Sequence, residues 1–382
     1  MKKVFIISIV FLSVTLFVFG IYNLAFKQTN NNQEGAETIK QAVQTVETNT
    51  TSTKKNPDRI MAVSKEPVLG AVIDKKTEKI YFYSALNGTV WQADSDGFNL
   101  TQISDTKLSG IIEAAWSPDR SGVLTTFDKN GKKIFFSYDN LKKTATKLNE
   151  GIDMVSWDSL GTKIIYKYYD AKTKRRNLSV ANTDGSNWRV LLDNLVFKKI
   201  SISSVPLSAM VSFWNFPDST EESVLQSVPL TGGETKKIFQ GRFGGDYLWS
   251  PDGSSVLVSS SANKNSKTVM LGIIDSQGRY SDLNIPTVVS KCVWSIDNKT
   301  VYYALPGGIP EGAIMPNDYQ SEKFTTQDTF WKIDVSNGSK ERIVELSDIQ
   351  GEYDLSKPFL SATEGALFFV NKVDEKLYKI DL

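Results

Sequence analysis

Trp249-Ser250-Pro251-Asp252-Gly253 is the phrase on which the reading of this chain turns. It returns in altered copies: Trp116-Ser117-Pro118-Asp119 with Gly122 just after it, Trp157-Asp158-Ser159-Leu160-Gly161, and Trp294-Ser295-Ile296-Asp297-Asn298. The steps between these tryptophans are 41, 92 (two of 46) and 45 residues. Ser-Pro-Asp-Gly is turn chemistry, because Pro presets φ, Asp bonds its own backbone and Gly tolerates a positive φ. Alternating apolar residues such as Val256 and Val258 follow the turn, as in a strand leaving it. An aromatic residue before a turn, repeated at this interval, predicts the blades of a β-propeller. Each Trp is then expected between neighbouring sheets, where its ring buries a large area.

A second landmark interleaves with the first. Asp96-Gly97, Asp184-Gly185, Gly232-Gly233, Gln277-Gly278 and Asn337-Gly338 mark the turn after each third strand, with Asp139-Asn140 in the slot of the second unit. Register places the weaker units at Ile73, near Ile202 and at Leu360, giving an all-β, seven-bladed β-propeller. The third strand of the last unit is Leu377 to Leu382, and Arg59 to Val63 is a spare strand ahead of the first unit. Pairing the two would close the ring and remove a bare edge.

Composition narrows the chemistry. The 382 residues carry 44 basic and 43 acidic side chains, a net charge of +1, so no basic field exists to attract nucleic acid. No histidine occurs, which removes Ser-His-Asp and Cys-His nucleophiles and the common zinc sites. Cys292 is the single cysteine and reads as buried filler. The run Lys172 to Arg176 reads as a solvated hairpin tip, and Asp94, Asp96 and Asn99 as turn chemistry rather than a calcium loop. No metal or cofactor is expected.

The N-terminus reads differently. Lys2 and Lys3 precede Val4 to Phe26, 23 residues without a charge. A helix of that length spans the hydrocarbon core of a bilayer, and the lysines would keep its start in the cytoplasm. We therefore expect a signal anchor at 1–27, a flexible polar linker at 28–57 and the propeller at 58–382, on the extracytoplasmic side of the cell membrane.

The chain resembles the TolB-type, WD40-like β-propeller family, whose repeat carries W-S-P-D-G and a D-x-D-G-type turn. Trp249 to Gly253 and Asp94-Ser95-Asp96-Gly97 carry the resemblance, which covers about residues 58 to 382. It implies a propeller that serves as a scaffold, a lid or, less often, an enzyme. One irregularity suggests where function sits. Trp294 lies 44 residues before Gly338, against 28 and 29 for the matching pairs of units three and five, so about 15 extra residues separate the second and third strands of unit six. Long loops in compact domains tend to be functional. Ile309, Ile314, Met315, Tyr319 and Phe324 on this insertion, with Arg242 and Phe243 on the loop leading into unit five, form the candidate binding residues. On this reading the propeller is a non-catalytic, membrane-anchored scaffold for a protein or cell-envelope partner. The alternative is a lyase or hydrolase that acts on a glycan with carboxylates at the channel mouth. Convergent carboxylates at that mouth would favour the enzyme, and an apolar rim the scaffold.

Overall fold

Each Trp-turn phrase does the same thing in space. It ends the first strand of a unit, reverses the chain and starts the second. In unit five the Ser250 hydroxyl donates to Asp252 Oδ1 (2.6 Å) and accepts from the Ser255 N–H (3.0 Å), while the Ser254 N–H donates to Asp252 Oδ1 (3.0 Å). Gly253 takes φ +71°, and a side chain there would strike the Pro206 carbonyl of unit four. The tryptophan then reaches back to the preceding unit. Trp116 Nε1 donates to the Gly70 carbonyl (2.7 Å), Trp157 Nε1 to the Ala115 carbonyl (2.8 Å) and Trp294 Nε1 to the Leu248 carbonyl (3.3 Å). Unit four, which lacks the Trp, ends its first strand with Ser204, whose hydroxyl donates to the Trp157 carbonyl (2.9 Å). The repeat is thus a staple between neighbours.

The computed structural model describes residues 59–382. The expected anchor and linker lie outside the described residues. Among the described residues no helix is long and apolar enough to cross a membrane. The architecture is all-β: antiparallel sheets in which consecutive strands pair in order. Five sheets have four strands and one has seven. Strand Ile60–Ala62 pairs with Leu377–Asp381, with Ile60 opposite Ile380.

The core lies between sheets. One cluster joins Ile73, Ile80 and Phe82 of unit one to Phe368 and Leu377 of unit seven. A second joins Tyr83 to Ile111 and Val123, and a third joins Leu124 and Phe135 to Trp157 and Tyr166. Such face-to-face burial of alternating residues explains the two-residue periodicity of the strands. First strands of successive units lie side by side, Val68–Asp74 against Ile111–Trp116 and Cys292–Trp294 against Leu355–Leu360.

The seven-stranded sheet is where structure departs from expectation. Residues 242–245, read as a loop, belong to one continuous strand, Lys236–Trp249. Glu222 and Ser223 of unit four pair with Phe243 and Arg242, while Ser261 and Ser259 of unit five pair with Phe243 and Asp246. Glycine permits the transfer. A Cβ on Gly245 would lie 2.8 Å from the Ser223 side chain, and the Ser223 hydroxyl accepts from the Gly245 N–H (2.8 Å).

Candidate active site

The insertion of unit six runs from the end of strand Thr300–Gly307 to the start of Gln327–Asp334, and folds one short helix, α1 (Asn317–Gln320). It does not project as a loose apolar tip. Met315 and Tyr319 are buried, 4% exposed each, and pack on Val269 of unit five and Val288 ahead of unit six. The Met315 N–H donates to the Ser266 carbonyl (3.0 Å), and Asn317 Oδ1 accepts from the Ser219 N–H (2.7 Å) of unit four. The strap therefore crosses from unit six over five to four.

Its base is fixed by a buried ionic cluster. The Lys291 ammonium donates to Asp328 Oδ2 (2.5 Å), Asp354 Oδ1 (2.6 Å) and the Leu355 carbonyl (3.1 Å), using all three protons. The Tyr319 hydroxyl donates to Asp354 Oδ1 (2.6 Å), and the Thr326 N–H to Asp354 Oδ2 (3.1 Å). Thr326 Oγ1 and the Leu355 N–H satisfy Asp328, both at 2.7 Å. Lys291, Asp328 and Asp354 are nearly inaccessible to solvent. Burial pushes the Asp328 carboxyl up, opposed by Lys291, and burial together with the Asp354 charge pushes the Tyr319 phenol up. Every group is paired, so the cluster is a structural latch under the strap.

Beside the strap a cavity of about 430 Å³ opens at the ends of the first strands, lined by side chains of units one, four, five, six and seven. Its wall is mixed: Val68, Leu69, Phe216, Val288 and Val370 give it an apolar surface into which charged groups are set. Asp246, Glu322 and Glu375 supply carboxylates, Lys357 and Lys372 ammonium groups, and Ser259, Ser290, Ser356 and Gln320 neutral donors. Lys372 Nζ stands 4.2 Å from the centre of the Tyr319 ring.

Asp246 is the unusual member. It follows Gly244-Gly245 on the strand that joins units four and five, so the side chain sits partly buried at the meeting of two units. Desolvation pushes its pKa up to about 6, against the pull of the Trp214 indole and the Tyr247 N–H. Both hydrogen bonds, from Trp214 Nε1 (3.0 Å) and Tyr247 N (3.2 Å), land on Oδ1. Among the described residues Oδ2 takes no hydrogen bond, and Asp246 is part of the cavity wall. A carboxylate held by one oxygen, with the other free and a pKa near neutrality, is suited to moving a proton.

Of the residues expected from sequence, Tyr319 alone lines this cavity. Met315 packs beneath the strap, Phe324 lies against Tyr319 with ring centres 5.9 Å apart, and Ile309 and Ile314 are half-buried. Arg242 stacks over the Tyr280 ring (4.5 Å) and donates through Nε to Ser260 Oγ (2.8 Å), and Phe243 is held between its two strand partners. Asp246, three residues from the Trp of the defining phrase, was not singled out. The signal was present as an acidic residue directly after two glycines on a first strand.

No protein-family model and no curated protein sequence matches the chain. Solved structures do. An oligogalacturonate lyase in complex with manganese superposes with a TM-score of 0.60 at 13% identity, over 85% of this chain and 93% of its own. The oligogalacturonate lyase of Vibrio parahaemolyticus gives 0.58 at 11%, over 84% and 93%. The Cps50 (Swd1) β-propeller domain of Myceliophteria thermophila gives 0.54 at 9%, over 85% and 99%. The chain has the β-propeller fold. At these identities the likeness is one of fold.

It corrects the expectation of a non-catalytic scaffold and of no enzyme. The propeller frame is shared over most of this chain with oligogalacturonate lyases, and the cavity beside the strap sets carboxylates and lysines among apolar side chains. The manganese of the first neighbour finds no counterpart donor set here. The sequence has no histidine, and among the described residues no three His, Cys, Asp or Glu side chains gather where they could hold a metal ion.

Proposed function

We propose that this chain is a seven-bladed propeller enzyme that cleaves an acidic glycan by β-elimination, with Asp246 as the proton-abstracting base. The observation that carries the reading is the Asp246 carboxyl, raised to about 6 and part of the wall of a cavity that also holds Lys357 and Lys372. Elimination from a uronate needs a base for the proton next to the sugar carboxylate and positive charge for the enolate that forms. Asp246 suits the first role and the two lysines the second. The strap would exclude water from the mouth and hold the sugar against the base. The fold likeness to oligogalacturonate lyases supports this choice among reactions. A hydrolase using the same carboxylates would release reducing ends without forming an unsaturated sugar.

The full chain, incubated with polymeric uronates, is expected to generate the ultraviolet chromophore of an unsaturated uronide. Asp246→Asn should lower that rate by about 10² to 10⁴, the usual contribution of a positioned base. Since the ionised form is the base, activity should rise with pH through about 6 and be lost below it. An unchanged rate in Asp246→Asn would exclude the role.

We place the enzyme outside the cytoplasm, held to the membrane by residues 4–26, on the strength of their uncharged sequence behind Lys2 and Lys3. Protease added outside intact cells should digest the propeller while the anchor stays with the membrane. A soluble mature chain lacking the first 26 residues would show a cleaved leader instead.

A further inference from the structure

A second hollow, of about 1000 Å³, adjoins the first on the side of unit four. The two share Phe216 and Gln320 as wall residues. Phe216 is 43% exposed at the end of strand Met210–Asn215, whose residues from Val211 onward are buried. Its N–H donates to the Lys199 carbonyl (3.1 Å), which fixes the backbone, and Lys199 Nζ stands 5.8 Å from its ring centre. Polar groups of the wall are also fixed. Asn317 Nδ2 donates to Asp218 Oδ1 (3.1 Å) while its Oδ1 is held by Ser219. Asp218 is kept low in pKa by the Thr220 N–H.

We infer that this hollow is a distal sugar subsite, in which Phe216 stacks on a pyranose ring, so that the enzyme grips a chain of several uronates rather than one or two. The inference rests on the glycan reading above. An exposed aromatic face flanked by fixed polar groups matches a sugar, whose C–H face is apolar and whose rim is hydroxylated. Lys198 and Lys199 line the hollow as cations for a uronate carboxylate, beside Asp218, Glu221 and Glu222, whose oxygens can accept from sugar hydroxyls. Asp218 and Asn317 are already positioned to meet hydroxyls and need no further ordering.

The test is the dependence of turnover on oligomer length. In the native chain kcat/KM for oligouronates should climb from the disaccharide to longer oligomers. In Phe216→Ala that climb should shrink by roughly tenfold, the order expected for one lost stacking contact. Phe216→Tyr should restore it, and oligouronate binding to Asp246→Asn, measured by calorimetry, should tighten with length. A length dependence unchanged in Phe216→Ala overturns the subsite, and if Asp246→Asn is then inactive the glycan reading survives without it. If no uronate is cleaved by the native chain, the glycan reading fails. In that event length-dependent binding lost in Phe216→Ala still supports the groove, and length-independent binding removes it.

Discussion

Lys291→Met is expected to cost the fold about 3–5 kcal/mol, because it removes one partner from a buried ionic cluster and strands the other two charges. Asp328 and Asp354 would keep their hydroxyl and amide donors but lose the cation that reaches both, at 2.5 and 2.6 Å. Two carboxylates sharing one dry site resist joint ionisation, so one would take up a proton. The loss should therefore be larger at neutral pH than in mild acid. Urea unfolding at both pH values checks it. Adding Asp328→Asn and Asp354→Asn to Lys291→Met should recover part of the stability, since no uncompensated charge remains. A single-mutant loss below about 1 kcal/mol would mean that water reaches the cluster and the latch is not closed.

Trp157→Ala should cost a similar amount, about 3–5 kcal/mol, for a different reason. The ring is 8% exposed and packs among Leu124, Ile164 and Tyr166. Its edge also lies over Gly122, where a Cβ would approach Trp157 Cη2 to 3.2 Å. The ring thus fills the place that the missing side chain leaves in the neighbouring repeat. Alanine would open a cavity between two sheets and remove the hydrogen bond to the Ala115 carbonyl. Trp157→Phe should lose less, because most of the volume stays. Thermal unfolding of the three proteins decides it, and equal midpoints would place the ring outside the core.

These two residues illustrate what the sequence made legible. Trp157 could be found because it belongs to a repeat, and its partner Gly122 stands in the same phrase one unit earlier. The extra length in unit six was legible as a count between landmarks. The content of that segment was not. Met315 and Tyr319 look like an exposed apolar patch in one dimension, but Val269 and Val288, which cover them, come from elsewhere in the chain. Lys291, Asp328 and Asp354 are spread over 63 residues and sit in no motif, so only the packing of units six and seven brings them together. Asp246 escaped for a related reason. Its altered acidity comes from desolvation, and desolvation arises where the Lys236–Trp249 strand passes between two units, in a stretch that read as a loop.

The pairing of Ile60–Ala62 with Leu377–Asp381 has a consequence for the order in which the molecule can be made. On the ribosome the residues of the first strand emerge early and then wait while almost all of the domain is synthesised. Their partner appears last. The entropy of joining such distant segments grows only with the logarithm of their separation, so the delay is a matter of kinetics rather than of stability. Until Leu377–Asp381 emerges, Ile60–Ala62 has no partner and the nascent ring keeps an open seam. Emergence of Leu377–Asp381 and closure of the ring are thus coupled, and a polypeptide that stops short of that strand presents a bare edge to whatever else the cell contains.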